Sequence, residues 1–144
     1  MVEHVLVPFD GSPLSENALE FACEVFGSQT ITVLYVVDSH TDETAASGWG
    51  DHPSEWEDWL EDRRDHAEDL FSSARTIADD HDVSLQTGVA VGRVAEMILE
   101  AAAEYGADHI VVGTHGRSHL QEFVLGSVPE SLVRQSEIPV TTVR

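Results

Sequence analysis

The sequence predicts an α/β domain built on a single open, five-stranded parallel sheet with helices on both faces, and three observations carry that prediction. Five short stretches are rich in β-branched apolar residues, segments of helical period separate them, and the two kinds alternate in the order βαβαβαβαβ. Such alternation builds parallel strands joined by right-handed crossovers. Four of the five stretches are apolar on both faces, as suits strands covered by helices on either side.

The first strand is predicted over residues 5–9, with the sequence Val-Leu-Val-Pro-Phe. A helix over 13–26 follows, with Ser12 as its cap, Pro13 in its first turn, and Leu14, Ala18, Phe21, Ala22 and Val25 on one side. The second strand covers 31–37, and residues 38–53, which contain Ser47-Gly48-Trp49-Gly50, are expected to be a flexible loop. Residues 54–80 place Trp56, Trp59, Leu60, Ala67, Leu70, Phe71, Ala74 and Ile77 along one helical stripe. The stretch 83–91 alternates more than the others, which puts it nearer a sheet edge. A helix over 93–105 carries Val94, Met97, Ile98, Ala101 and Tyr105 inward and stops at Gly106. The fourth strand is 110–112, the last helix 127–136, and the last strand 140–143 after Pro139.

At 144 residues and 42% hydrophobic, the chain fits one domain with a substantial core. No apolar run approaches the roughly 20 residues of a membrane span, and the N-terminal residues lack a basic, apolar leader, so a cytoplasmic protein is expected. The single cysteine, Cys23, sits at an apolar helical position and reads as a small core residue. Charge is the unusual feature. Asp and Glu total 27 against 7 basic residues, all of them arginine, for a formal net charge of −20. That surface repels nucleic acid and anionic membranes. The acids are spread along the chain rather than gathered in one patch, which points to adaptation to high intracellular salt rather than to a basic partner.

Open parallel sheets bind ligands beyond the carboxyl ends of their strands, where the strand order reverses. That rule selects the loops Pro8-Phe9-Asp10-Gly11-Ser12, Val36-Val37-Asp38, and 113–127. In the last, Gly113-Thr114-His115-Gly116 leaves the fourth strand and Gly126-Ser127 opens the final helix. Glycine lets a phosphate approach backbone amides, a helix start at Ser127 offers free N–H groups, and Arg117 adds a cation. This pattern favours an anionic, phosphate-bearing ligand.

The spacing Gly113, Gly116, Gly126-Ser127 resembles the ATP-binding signature of the universal stress protein family, as do Val7-Pro8-Phe9-Asp10-Gly11-Ser12 and Ile138-Pro139-Val140. The resemblance covers essentially residues 1–144. It implies a Rossmann-like, adenine nucleotide α-hydrolase-like sheet of strand order 3-2-1-4-5. By the same resemblance, Pro8, Phe9 and Asp10 lie on the adenine and ribose side, and the backbone of Val36 reads the adenine edge. Gly113, Thr114, His115, Gly116, Arg117, Ser118 and His119 wrap the ribose and phosphates, and Gly126, Ser127 and Val128 close the phosphate site. The implied ligand is ATP, with ADP or AMP as alternatives, and Mg²⁺ or Mn²⁺ can bridge the phosphates. One residue departs from the pattern. Position 129 is proline, which removes a backbone N–H and any hydroxyl from the phosphate cradle.

No protein metal site is expected, because His40, His52, His66 and His81 are scattered without paired spacing. No catalytic residue is assigned: Asp10 and His115 are the only local candidates for a base, so binding is better supported than turnover. A slow ATPase in the same pocket and a nucleotide-free dimeric scaffold are the alternatives. The resemblance also implies a homodimer through the strand at 139–143, which would otherwise be an open edge, and an unidentified downstream protein partner.

Overall fold

The computed structural model describes residues 2–38, 53–114 and 127–144, with the backbone alone described for 53–56. The strands are β1 (His4–Pro8), β2 (Thr30–Asp38), β3 (Leu85–Gly92), β4 (His109–Gly113) and β5 (Val140–Val143). Between them lie helices α1 (Pro13–Phe26), α2 (Pro53–Asp79), α3 (Val94–Tyr105) and α4 (Ser127–Gln135). The strands form one five-stranded parallel sheet of order β3-β2-β1-β4-β5, so the predicted fold class and strand order both hold. The sequence order runs one way from β1 to β3 and the other way from β4 to β5. The reversal therefore falls between β1 and β4.

Side chains alternate across the sheet and bury two cores. Val5, Val7, Ile31, Val33 and Val111 face Ala18, Leu19 and Ala22 of α1 and Phe71 and Ala74 of α2. Leu6, Leu34, Val36, Ile110 and Val112 face Ile98 and Ala101 of α3 and Leu132 of α4. Local chemistry sets the helix ends. The Ser12 side chain accepts from the Ser15 amide with Pro13 in the first turn of α1, and α3 stops at Gly106 in the left-handed conformation.

Three sequence expectations are corrected. Val25 is 54% exposed, because α1 buries Ser15, Ala18, Leu19, Ala22 and Cys23, a face rotated from the expected one. Tyr105 is 39% exposed because it lies over Gly88 of the edge strand β3 rather than deep in the sheet. β5 is half-buried at all four positions, since it pairs only with β4. Of residues 38–53, expected to be a flexible loop, Asp38 is the last residue of β2 and Pro53 the first of α2, and residues 39–52 lie outside the described ones.

The amino ends of the strands are closed by polar contacts. His4 Nε2 lies 2.6 Å from Thr32 Oγ1, and His109 Nε2 lies 2.6 Å from Thr141 Oγ1. Asp108 Oδ2 accepts the Glu3 and His4 amides at 2.9 and 3.1 Å. The carboxyl ends differ.

Candidate functional site

β1 ends at Pro8, opposite Leu34, while β2 continues to Asp38, so the carboxyl end of β2 overhangs a shorter neighbour. The Phe9 amide donates to the Leu34 carbonyl at 2.9 Å, which fixes the direction of the Leu34 backbone groups toward β1. Backbone direction alternates along a parallel strand. Val36, two residues on, therefore turns its N–H and C=O to the same side, past the end of β1. This is the geometry a backbone reader of a flat base requires. Its side chain stays in the core with Leu34 and Ile98.

The loop after β1 is held from within. Phe9 is buried among the residues under α1 and α2, so only its backbone is available to a ligand. Asp10 Oδ1 accepts the Ser12 amide at 2.9 Å, and the Ser12 carbonyl accepts from the Glu16 amide at 3.0 Å and the Ser15 hydroxyl at 2.8 Å. Gly11 has φ +82, and a Cβ there would meet Leu70 Cδ2 at 2.7 Å. Position 11 therefore favours glycine for its conformation, while the Leu70 methyl is a side-chain end that can shift.

The exit of β4 contains the sharpest observations. A Cβ on Gly113 would stand 2.7 Å from the Leu14 carbonyl oxygen and 2.8 Å from its carbon. Gly113 thus lets the first turn of α1 pack against the end of β4, a packing role that its sequence context does not reveal. Thr114 is 4% exposed, and its amide continues the sheet by donating to the Val143 carbonyl at 2.9 Å. Among the described residues the buried polar ones are Ser15, Thr32 and Thr114. Ser15 Oγ donates to the Ser12 carbonyl and Thr32 Oγ1 lies against His4, whereas the buried Thr114 Oγ1 has no hydrogen-bond partner among the described residues. Buried hydroxyls are rarely left so, because an unmet hydrogen bond costs about 1–3 kcal/mol.

Thr114 directly follows β4, and Val112, two residues earlier, lies in the layer covered by α3 and α4. The first turn of α4 reaches this layer, because Val128 packs against the core that contains Val112 and Leu132. Ser127 is exposed as the first residue of α4, and Pro129 is buried in its first turn. The structure therefore brings Pro8, Phe9, Asp10, Val36, Gly113, Thr114, Ser127 and Val128 to the carboxyl end of one sheet. His115, Gly116, Arg117, Ser118, His119 and Gly126 lie outside the described residues. Arg144 directly follows the pairing of Val143 with Gly113 and so adds an exposed cation at this end, one that no local sequence pattern marks. Among the described residues no group of three His, Cys, Asp or Glu could hold a metal ion.

A parallel α/β sheet with its reversal point between β1 and β4, and a buried hydroxyl unmet there, has the architecture of a ligand-binding α/β domain. Comparison with known proteins gives the family: the model of the universal stress protein family matches residues 1–144, and the chain belongs to that family. It is 31% identical to the universal stress protein YxiE of Bacillus subtilis, with 100% of each chain covered. It is also similar to the solved structure of MJ0577, at 27% identity and TM-score 0.80, covering 99% of this chain and 96% of that one. MJ0577 is a universal stress protein of Methanocaldococcus jannaschii.

Less similar structures share the fold and were solved with adenine nucleotides. One universal stress protein is in complex with cAMP, at 21% identity, TM-score 0.69, and 99% and 97% coverage. Another, from Arabidopsis thaliana, has AMP bound, at 18% identity, TM-score 0.67, and 98% and 90% coverage. A third, from Archaeoglobus fulgidus, is in complex with dAMP, at 20% identity, TM-score 0.66, and 100% and 98% coverage.

Proposed function

We propose that this chain is a regulatory module of the stress response that binds an adenine nucleotide between the carboxyl ends of β1, β2 and β4. The observation that carries the reading is the buried Thr114 hydroxyl at the exit of β4, without a partner among the described residues. The overhanging backbone of Val36 would read the base, the Asp10 loop would flank the ribose, and Ser127 and Val128 would offer amides to phosphate. The nucleotides in three solved structures of the same fold, cAMP, AMP and dAMP, support the adenine reading. ATP, ADP and AMP are the candidates for this chain, and a divalent ion would be held through their phosphates. Asp10 already accepts the Ser12 amide, which favours binding over turnover. The bound state would be read by a protein partner or by a second copy paired along β5, in a salt-rich cytoplasm.

Titration calorimetry in molar salt tests this reading. Heat that saturates at one adenine nucleotide per chain, with none from GMP, is expected. The absence of heat with AMP, ADP and ATP alike would overturn it.

A further inference from the structure

We infer that His4, at the amino end of the sheet, is a proton-operated switch that turns the Thr32 hydroxyl between β1 and the edge strand β3. His4 Nδ1 lies 3.1 Å from the carbonyl oxygen of Tyr105, the last residue of α3, and Nε2 lies 2.6 Å from Thr32 Oγ1 on β2. The Thr32 hydroxyl in turn donates to Gln86 Oε1 on β3 at 3.4 Å. Thr32 is buried, whereas Gln86 is exposed on the edge strand.

Proton counting separates two states of this chain of contacts. A carbonyl oxygen can only accept, so Nδ1 carries a proton in every state that keeps the Tyr105 contact. A neutral imidazole then has a bare Nε2, which must accept from Thr32. The hydroxyl has a single hydrogen and cannot serve Gln86 Oε1 at the same time. Doubly protonated His4 instead donates from Nε2 to Thr32 Oγ1, which releases the hydroxyl hydrogen to Gln86. All three contacts with these acceptors therefore hold together in the charged form. The neutral form keeps the two that His4 makes, and Gln86 swings to water or presents its NH2 group to Thr32.

The surroundings receive a charge on this ring. α3 ends there without a basic residue in its last turn, and a cation at that end meets the negative pole of the helix. The charged groups nearby are Glu104 in the same turn, Glu3 beside His4, and Asp108, whose carboxylate accepts the Glu3 and His4 amides. β2 and β3 contribute the neutral Thr32 and Gln86. His109 lies against Phe26 and pairs with Thr141 of β5. Because β3 pairs with β2 alone, the Thr32–Gln86 contact is a side-chain fastening of that edge, made as pH falls and His4 takes its second proton.

NMR of the ring nitrogens and of the Gln86 side-chain amide, followed in the full chain through the titration of His4, tests the switch. Neutral His4 should carry its proton on Nδ1, and the Gln86 amide signals should change in step with the ring. Thr32→Val should remove most of the Gln86 change while His4 still titrates, and Thr32→Ser, which keeps the hydroxyl, should retain it. A proton on Nε2 of the neutral ring, Gln86 signals indifferent to its titration, or a full-size change in Thr32→Val would overturn the switch. The first two readouts need no variant, so they decide the matter even where the valine chain fails to fold.

Discussion

At the scale of single residues, the sheet has two unlike ends. At the amino end, His4, Thr32, His109 and Thr141 are matched to one another, and Asp108 holds the Glu3 and His4 amides, which keeps its carboxyl below the usual range. Burial against Phe26 holds His109 below its ordinary value of 6.5. As pH falls through that value, the unfolded chain takes up a proton that folded His109 resists. Stability is therefore fully present above 6.5 and declines as pH falls below it. His109→Gln keeps a partner for Thr141 and should flatten this part of the acid limb in denaturant melts taken from pH 7 downward. An unchanged limb would contradict that assignment. At the carboxyl end, by contrast, the buried Thr114 hydroxyl has no partner among the described residues. Residue identity made Thr114 a candidate, but whether its hydroxyl is met or unmet depends on neighbours brought in from other strands, which no local pattern records.

At the scale of elements, much was legible. The strands and helices lie within a residue or two of their expected bounds, because β-branched apolar runs, the Ser12 cap, Pro13 and Gly106 are local signals. The inward face of α1 was not legible. Val25 fits the apolar period as well as Cys23 does, and only packing against β1 and β4 selects the smaller Ala, Ser and Cys positions. Burial in this face, with Glu20 and Glu24 nearby, pushes the Cys23 thiol up to about 11, so it stays a protonated core group. Gly113 has a packing role that was not legible beside its expected ligand role. Its glycine pattern suggests phosphate approach, while the structure shows Leu14 of α1 occupying the space where a Cβ would stand. Gly113→Ala should therefore cost about 1–3 kcal/mol in chemical denaturation even without nucleotide, as overpacking against backbone does. A variant as stable as the natural chain would return Gly113 to a purely ligand-facing role.

At the scale of the whole molecule, charge and edges dominate. A net charge of −20 on one small domain repels itself, and the repulsion is screened over about 10 Å at 0.1 M salt but about 3 Å at 1 M. The thermal midpoint should rise steadily as KCl is raised across that range, and a midpoint that falls would contradict adaptation to salt. Among the described residues β5 leaves a half-buried edge of Val140–Val143 beside no further strand, and the proposed pairing with a second copy would cover it. Both features concern how the domain persists and assembles, and neither decides what it binds. That question returns to Thr114. Calorimetry of AMP binding to the natural chain and to Thr114→Val, which keeps the shape and removes the hydroxyl, tests it most directly. Binding by the natural chain, weakened roughly tenfold by the valine, is the predicted result; equal affinities, or no binding by the natural chain, would contradict it.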